Sequence, residues 1–415
     1  MTNEKRWLLY DWANSVFATS VVAAFFPIVL RSYWAKGLDS QTITFRLGLT
    51  NSLISLLLFL ILPLMGFAID RKINSPEKIL FYTALTGGTL VSLLFFVNGG
   101  SSVQALLLYG ASFVFFALGN TQCDAMLVKL QKENPKRNLG NLSSLGYLYG
   151  YLGGGILLTL QSLTLIFYKQ LGFDSPLLPA KLCFLTAGLW WVLFSTPLLG
   201  IKFKQKEDKK EDKVKLKHSV LGDYKAFLLG LDKKGVLYLA AFFLYIDVVF
   251  TTYKMAVDFG LSMGLSQNHL IAILIYVQLV GVPGTLLMNK IADVFSVKTA
   301  LNVGLLMFAL VIACSPLVKS LTAFAVLATF IGISQGGIQA LSRSHFANIT
   351  PEDQQGIGFS FINVFGKLSA IMGPLIVGVS AYMLGDNTYS FFTLLPLLVL
   401  GMWFLQLSFK ESPEG

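Results

Sequence analysis

Apolar stretches, each long enough (about 19 residues or more) to cross a hydrocarbon core as a helix, recur along this chain. Short polar segments separate them and collect nearly all of the charge. The pattern predicts twelve spans, over residues 7–30, 46–69, 79–98, 103–127, 142–166, 178–200, 235–255, 268–288, 299–317, 321–341, 356–382 and 389–408. The first exceeds a signal-peptide core, lacks a small-residue cleavage site and carries Asp11, so it reads as a retained span.

Polar positions inside the spans are few. Asp11 sits in Tyr10-Asp11-Trp12, and Tyr245-Ile246-Asp247 repeats the arrangement halfway along. A carboxylate at that depth is costly unless it faces a cavity or a partner. In span seven Asp247, Thr251, Lys254 and Asp258 follow at steps of four, three and four, which is one helical face. Asn14 and Ser15 accompany Asp11, Gln335 and Gln339 lie in span ten, and Asn363 and Lys367 lie in span eleven. A structural ion pair such as Asp247 with Lys367 is the alternative to a shared polar site. Span five carries Gly146, Gly150 and Gly154, a small-residue stripe of the kind that lets membrane helices approach closely. Packing is the leading reading of that stripe, with Tyr147 and Tyr151 beside it as cavity candidates.

Three matched features divide the chain. Asp11 pairs with Asp247, Asp70 with Asp293, and the Gly146/Gly153 pair with Gly366/Gly373, at offsets of 236, 223 and 220. Their common order argues for a duplicated six-span unit, the build of many secondary transporters. The expected organisation is a bundle over 1–200, a charged linker over 201–234 and a second bundle over 235–415. Within the linker, Leu221, Tyr224, Leu228 and Leu231 share a helical face, which fits either an interfacial helix or one packed on the bundle.

Gly66, Asp70 and Arg71 follow span two. Gly66 allows close approach, Asp70 suits the positive end of a neighbouring helix, and Arg71 suits Asp124 at the end of span four. Such contacts form only when that side is closed, so they favour one of two states. In the second half Asn289 and Val294 replace the glycine and arginine, Asp293 remains, and Arg343 is its candidate partner.

Composition agrees with a membrane protein: 54% hydrophobic, 13% charged, 34 phenylalanines. The net charge of +10 reflects topology more than nucleic-acid binding. Of 32 Lys and Arg, 24 lie on the side of the termini, six on the other and two in spans. That bias predicts both termini in the cytoplasm. Three cysteines within spans and three scattered histidines form neither a disulfide framework nor a metal site. No phosphate loop, metal spacing or nucleophile elbow is present, so an enzyme or an ATP-driven pump is not expected.

Residues 10–19 of span one, Phe243-Leu244-Tyr245-Ile246-Asp247, and Gln335 through Ser344, together with Gly373-Pro374 and the Gly66–Lys72 signature, resemble one branch of the major facilitator superfamily. That branch holds bacterial "unknown major facilitators" and the fungal autophagy-related vacuolar amino-acid effluxers. The resemblance implies an all-α fold of twelve transmembrane helices in two pseudo-symmetric six-helix bundles. It also implies a cavity lined by spans one, four, seven and ten, with five and eleven contributing, and Asp70 facing the eleventh span. Location in a bacterial inner membrane is implied too. Val248, where the branch has glycine, and Lys367, where it tends to small residues, are departures.

The expected function is alternating-access transport of a small polar or zwitterionic metabolite, with amino-acid efflux and proton coupling suggested. Asp11, Asn14, Tyr147, Asp247, Thr251, Lys254, Gln335, Asn363 and Lys367 are the candidate binding residues. Gly66, Asp70, Arg71, Asp124, Asp293 and Arg343 are the candidate gating residues. An anionic cargo such as a siderophore or peptide is the second reading, and a non-transporting sensor or scaffold the third. A monomer in the bilayer, needing no cofactor, is expected.

Overall fold

Hydropathy carries the first step from sequence to architecture. A computed structural model describes residues 1–72, 76–133, 139–202, 227–350, 361–362, 365–366 and 369–409. Within these, the side chains of 62–72, 76, 124–125, 127–128, 131–133, 139–141, 143–144, 147, 344 and 347–348 fall outside the description. The helices of the first half are α1 (Asn3–Trp34), α2 (Ser40–Lys72), α3 (Pro76–Leu93), α4 (Ser102–Glu133), α5 (Leu139–Ile166) and α6 (Leu177–Ser195). Those of the second are α7 (Lys233–Ser262), α8 (Gln267–Val294), α9 (Val297–Cys314), α10 (Leu321–Ile349), α11 (Met372–Leu384) and α12 (Leu395–Ser408). Ten of these helices are long and apolar enough to cross a membrane, and α11 and α12 are shorter apolar helices.

Local chemistry sets the helix ends. Thr2, Asp232, Ser266, Ser296 and Ser320 each accept a backbone N–H three residues on and so cap α1, α7, α8, α9 and α10. Gly385, at φ +64°, ends α11 in the left-handed conformation that glycine adopts without strain. The middle and far end of α1 are π-helical over Phe17–Phe25 and Leu30–Trp34. There the Ala35 N–H reaches back five residues to the Leu30 carbonyl at 2.7 Å.

Two hydrophobic cores form, one almost wholly from residues 7–201 and one from 227–405. The glycine stripe of α5 lies on α1, where side chains at Gly146, Gly150 and Gly154 would collide with Asp11, Ser15 and Thr19. Large apolar side chains such as Leu53, Phe59, Leu107, Leu279 and Trp403 face outward, as a lipid-exposed surface requires. In the linker residues 201–202 and 227–234 are described, and Phe227 packs against Phe346 and Phe361; Leu221 and Tyr224 lie outside the described residues.

The expected continuous span over 356–382 is interrupted. Residues Ala370 and Ile371 form a turn, and α11 restarts at Met372. Pro374 gives the physical reason: it has no N–H, which is harmless in the first turn of a new helix and disruptive inside an old one.

Candidate functional site

The two halves enclose a cavity of about 340 Å³. Its walls come from both cores, from Trp7, Asp11, Asn14 and Asn120 on one side to Lys254, Gln339 and Arg343 on the other. The cavity reaches toward the end of the bundle that holds the termini, called the near end below.

Asp11 enters from α1. The thiol of Cys123 on α4 points at its Oδ1 over 3.7 Å, and a Cβ on Gly146 would come within 2.3 Å of its Oδ2. One turn on, Asn14 donates to Asn120 of α4 and accepts a long hydrogen bond from Tyr10 at 3.5 Å. Trp7 donates to the Cys123 carbonyl at 3.0 Å, so α1 and α4 are fixed to one another beside the carboxylate.

Lys254 faces the same cavity from α7. Only 7% of it is exposed, and its ammonium lies over the Phe113 ring, 4.7 Å from the centroid. It makes no hydrogen bond among the described residues. A buried ammonium satisfied only by an aromatic face and by more distant charge is costly unless something else fills its coordination.

The other members of the expected face of α7 do different work. Asp247 is fully buried and does not line the cavity. Its Oδ2 accepts the Gly373 N–H at 2.8 Å and its Oδ1 the Thr251 hydroxyl at 3.4 Å, so it caps α11. Asp258 sits at the distal end and binds Arg31 of α1, with Nη2 at 2.7 Å and Nε at 3.0 Å. Thr44 of α2 donates to its second oxygen at 2.6 Å. Arg31 also donates to Ser40 at 2.6 Å, and Asn387 donates to Ser40 from the other half at 2.7 Å. Gln41 donates to the Gly385 carbonyl at 2.8 Å. Next to this seal the hydroxyl and N–H of Thr42 hold the Asp39 carboxyl below the usual carboxylate range. The distal end is thus closed by polar contacts between the halves.

The remaining expected residues divide as follows. Gln335 lines a separate, mostly apolar pocket among α7, α8 and α10, while its neighbour Gln339 lines the cavity. Asp293 is exposed at the end of α8 and forms no ion pair among the described residues; the expected pairing with Arg343 is not made, because Arg343 turns into the cavity and donates to the Gln339 carbonyl at 3.2 Å. Gly66, Asp70 and Arg71 lie on α2, Asp124 on α4 and Tyr147 on α5, and their side-chain surroundings lie outside the described residues, as do Asn363 and Lys367 altogether. Nothing in the local sequence pattern singles out Arg31 as an ion-pair partner, Thr44, Asn120 or the cavity position of Arg343. Arg31 carried one signal, since it is one of only six basic residues on the side that the charge bias disfavours.

A family model described as "Vacuole effluxer Atg22 like" matches residues 37–411. An uncharacterized MFS-type transporter YxiO of Bacillus subtilis (strain 168) is 31% identical over 418 residues, which is 99% of this chain and 95% of that protein. Autophagy-related protein 22 of Kluyveromyces lactis is 22% identical over 469 residues, 96% of this chain and 92% of that one. Among solved structures, a bacterial homolog of the human lysosomal transporter Spinster, inward-facing and unoccupied, matches with a TM-score of 0.70 at 15% identity, over 98% of this chain and 96% of that one. A D-xylose-proton symporter matches with a TM-score of 0.66 at 14% identity, over 99% and 97%. At these identities the solved structures speak for the fold.

Proposed function

The chain belongs to the Atg22-like vacuole effluxer family of major facilitator transporters, and from that premise we propose that it carries a small zwitterionic metabolite by alternating access through the cavity between its halves. The observation that carries this reading is Lys254, a nearly buried ammonium with no hydrogen-bond partner among the described residues, facing the cavity that Asp11 also lines. A cargo carboxylate supplies the close counter-charge that no described residue gives Lys254, and a cargo ammonium suits Asp11. Phe113, Phe116, Phe242 and Phe250 offer apolar walls between them. A cavity of about 340 Å³ suits a small metabolite.

In this reading residues 1–200 and 235–415 are the two rocking units and 201–234 joins them in the cytoplasm. The near end is cytoplasmic, on the charge bias of the loops. The Arg31–Asp258 cluster seals the opposite end, so cargo enters and leaves from the cytoplasm in the state described. Amino-acid efflux follows if the cycle runs as the family description states. Proton coupling falls to Asp11, the carboxylate that lines the cavity among the described residues.

An anionic cargo is the second reading. It is favoured by the two cations, Lys254 and Arg343, that line the cavity against one carboxylate, Asp11, among the described residues. Counterflow of radiolabelled amino acids, dicarboxylates and short peptides in proteoliposomes, with and without a pH gradient, separates the two. Zwitterion exchange lost in Lys254→Met supports the first reading. Exchange of dicarboxylates alone would replace it with the second, and no exchange of any of them would return the sensor reading to the front.

A further inference from the structure

The start of α11 is gripped from both halves. From the second half, Asp247 accepts the Gly373 N–H at 2.8 Å, and the Met372 N–H is directed at the same carboxylate. From the first half, Ser52 of α2 donates its hydroxyl to the Ile371 carbonyl at 2.7 Å, in the turn before α11. One helical turn away, Gly48 of α2 lies so near α11 that a Cβ there would stand 2.3 Å from the Pro374 carbonyl oxygen. This contact between the halves therefore depends on where α11 begins, and Asp247 sets that point.

Asp247 and Lys254 lie seven residues apart on α7, about 10 Å along its axis. They interact electrostatically, and Thr251 stands between them, bonded to Asp247. Resting on the reading of Lys254 as the anion anchor, we propose that Asp247 is a positioning residue that reports occupancy of the cavity to the α2–α11 contact. A cargo anion at Lys254 offsets the ammonium's field at Asp247. The buried carboxylate is then less well compensated in the closed arrangement, and the arrangement that lets water reach it becomes relatively more favourable. Occupancy from the near end thus favours opening at the distal end.

The test needs no cargo, because removing the Lys254 charge imitates its neutralisation. Protein with its three cysteines replaced by serine is reconstituted in nanodiscs, with spin labels at Lys36→Cys and Tyr389→Cys, exposed distal positions on the two halves. Electron–electron double resonance then reads the distal separation. Lys254→Met is expected to raise the open fraction about fivefold, the lower end of ordinary coupling between sites. Asp247→Asn and Ser52→Ala are expected to raise it similarly, and Asp247→Glu to restore closure. Adding Lys254→Met to Asp247→Asn should produce no further shift. An unchanged distribution in Lys254→Met, or additive shifts in the double variant, overturns the proposal.

Should Asp247→Asn fail to fold, the pair Lys254→Met and Ser52→Ala, which leaves the cap in place, decides by the same non-additivity. A merely structural Ser52 would lower the thermal midpoint and leave the open fraction where it was, which also overturns the proposal. Distances that shift in Lys254→Met while counterflow persists would remove the anion anchor and keep the coupling, so the two ideas fail separately.

Discussion

Removing the Arg31 side chain should open the distal end. In the closed state the Asp258 side chain is 1% exposed and that of Arg31 13% exposed. Breaking a buried pair by deleting one partner costs about 3–5 kcal/mol, and the partial exposure of Arg31 argues for the lower figure. Thr44 still donates to Asp258, and one such bond to a charged group offsets about 1.5 kcal/mol. In the open state water reaches the carboxylate and the penalty vanishes. Arg31→Ala should therefore shift the closed-to-open ratio by about 1.5 kcal/mol, roughly 12-fold. The assay is labelling of Ala18→Cys, a cavity position, in a cysteine-free background, by an impermeant maleimide offered to the distal face of right-side-out vesicles. The rate should rise by about that factor. The double variant Arg31→Ala/Asp258→Ala removes the orphaned carboxylate and should fall back toward the parent rate. A rate in Arg31→Ala indistinguishable from the parent, or a double variant as fast as the single, would refute the claim that a desolvated ion pair seals this end.

Lys254→Met should abolish zwitterion counterflow while changing the thermal midpoint little, because removing a buried ammonium short of close partners offsets the compensation that Asp247 loses; a strongly lowered midpoint would argue for a structural role. Gly146→Ala puts a methyl group within 2.3 Å of the Asp11 carboxylate, so it should cost about 1–3 kcal/mol in thermal stability and impair transport together. Gly373→Ala brings a Cβ to 2.1 Å from the Thr251 hydroxyl and 2.9 Å from Asp247, and should destabilise the fold more than an alanine at the open position Gly155, as scanning calorimetry would show. A reporter fused after Pro413 should be active only in the cytoplasm, as the bias of basic residues predicts; activity on the outside alone would reverse the assignment of the two ends.

The spans were legible because burial in lipid leaves a long apolar record that does not depend on partners. The Gly146–Gly154 stripe was legible for the same kind of reason, since close approach demands small residues wherever the partner lies. The division of labour along α7 was not. Periodicity placed Asp247, Thr251, Lys254 and Asp258 on one face, and they are on one face. Yet eleven residues of helix span roughly 16 Å, and over that length the face meets the broken helix α11, then the cavity, then Arg31. Angle is written in the sequence, whereas depth and neighbour are not. The Arg31–Asp258 pair joins residues 227 positions apart, which no local pattern signals. The break before α11 was visible only as Gly373-Pro374, a pair equally at home in a continuous kinked helix.

The wide turns of α1 carry a geometric consequence of their own. Asp11 and Arg31 are twenty residues apart, and a straight α-helix would set them about 200° apart, on nearly opposite sides. Both nevertheless face the second half, one at the cavity and the other at the seal. The π-helical stretches, each closing over five residues instead of four, bring the two ends back into phase. Loss of one residue anywhere in Phe17–Phe25 would remove none of Asp11, Lys254, Arg31 and Asp258. It would still swing one end of α1 by about 100° relative to the other, turning the cavity carboxylate away from the phase of the seal. In this helix, length is as much a functional constraint as chemistry.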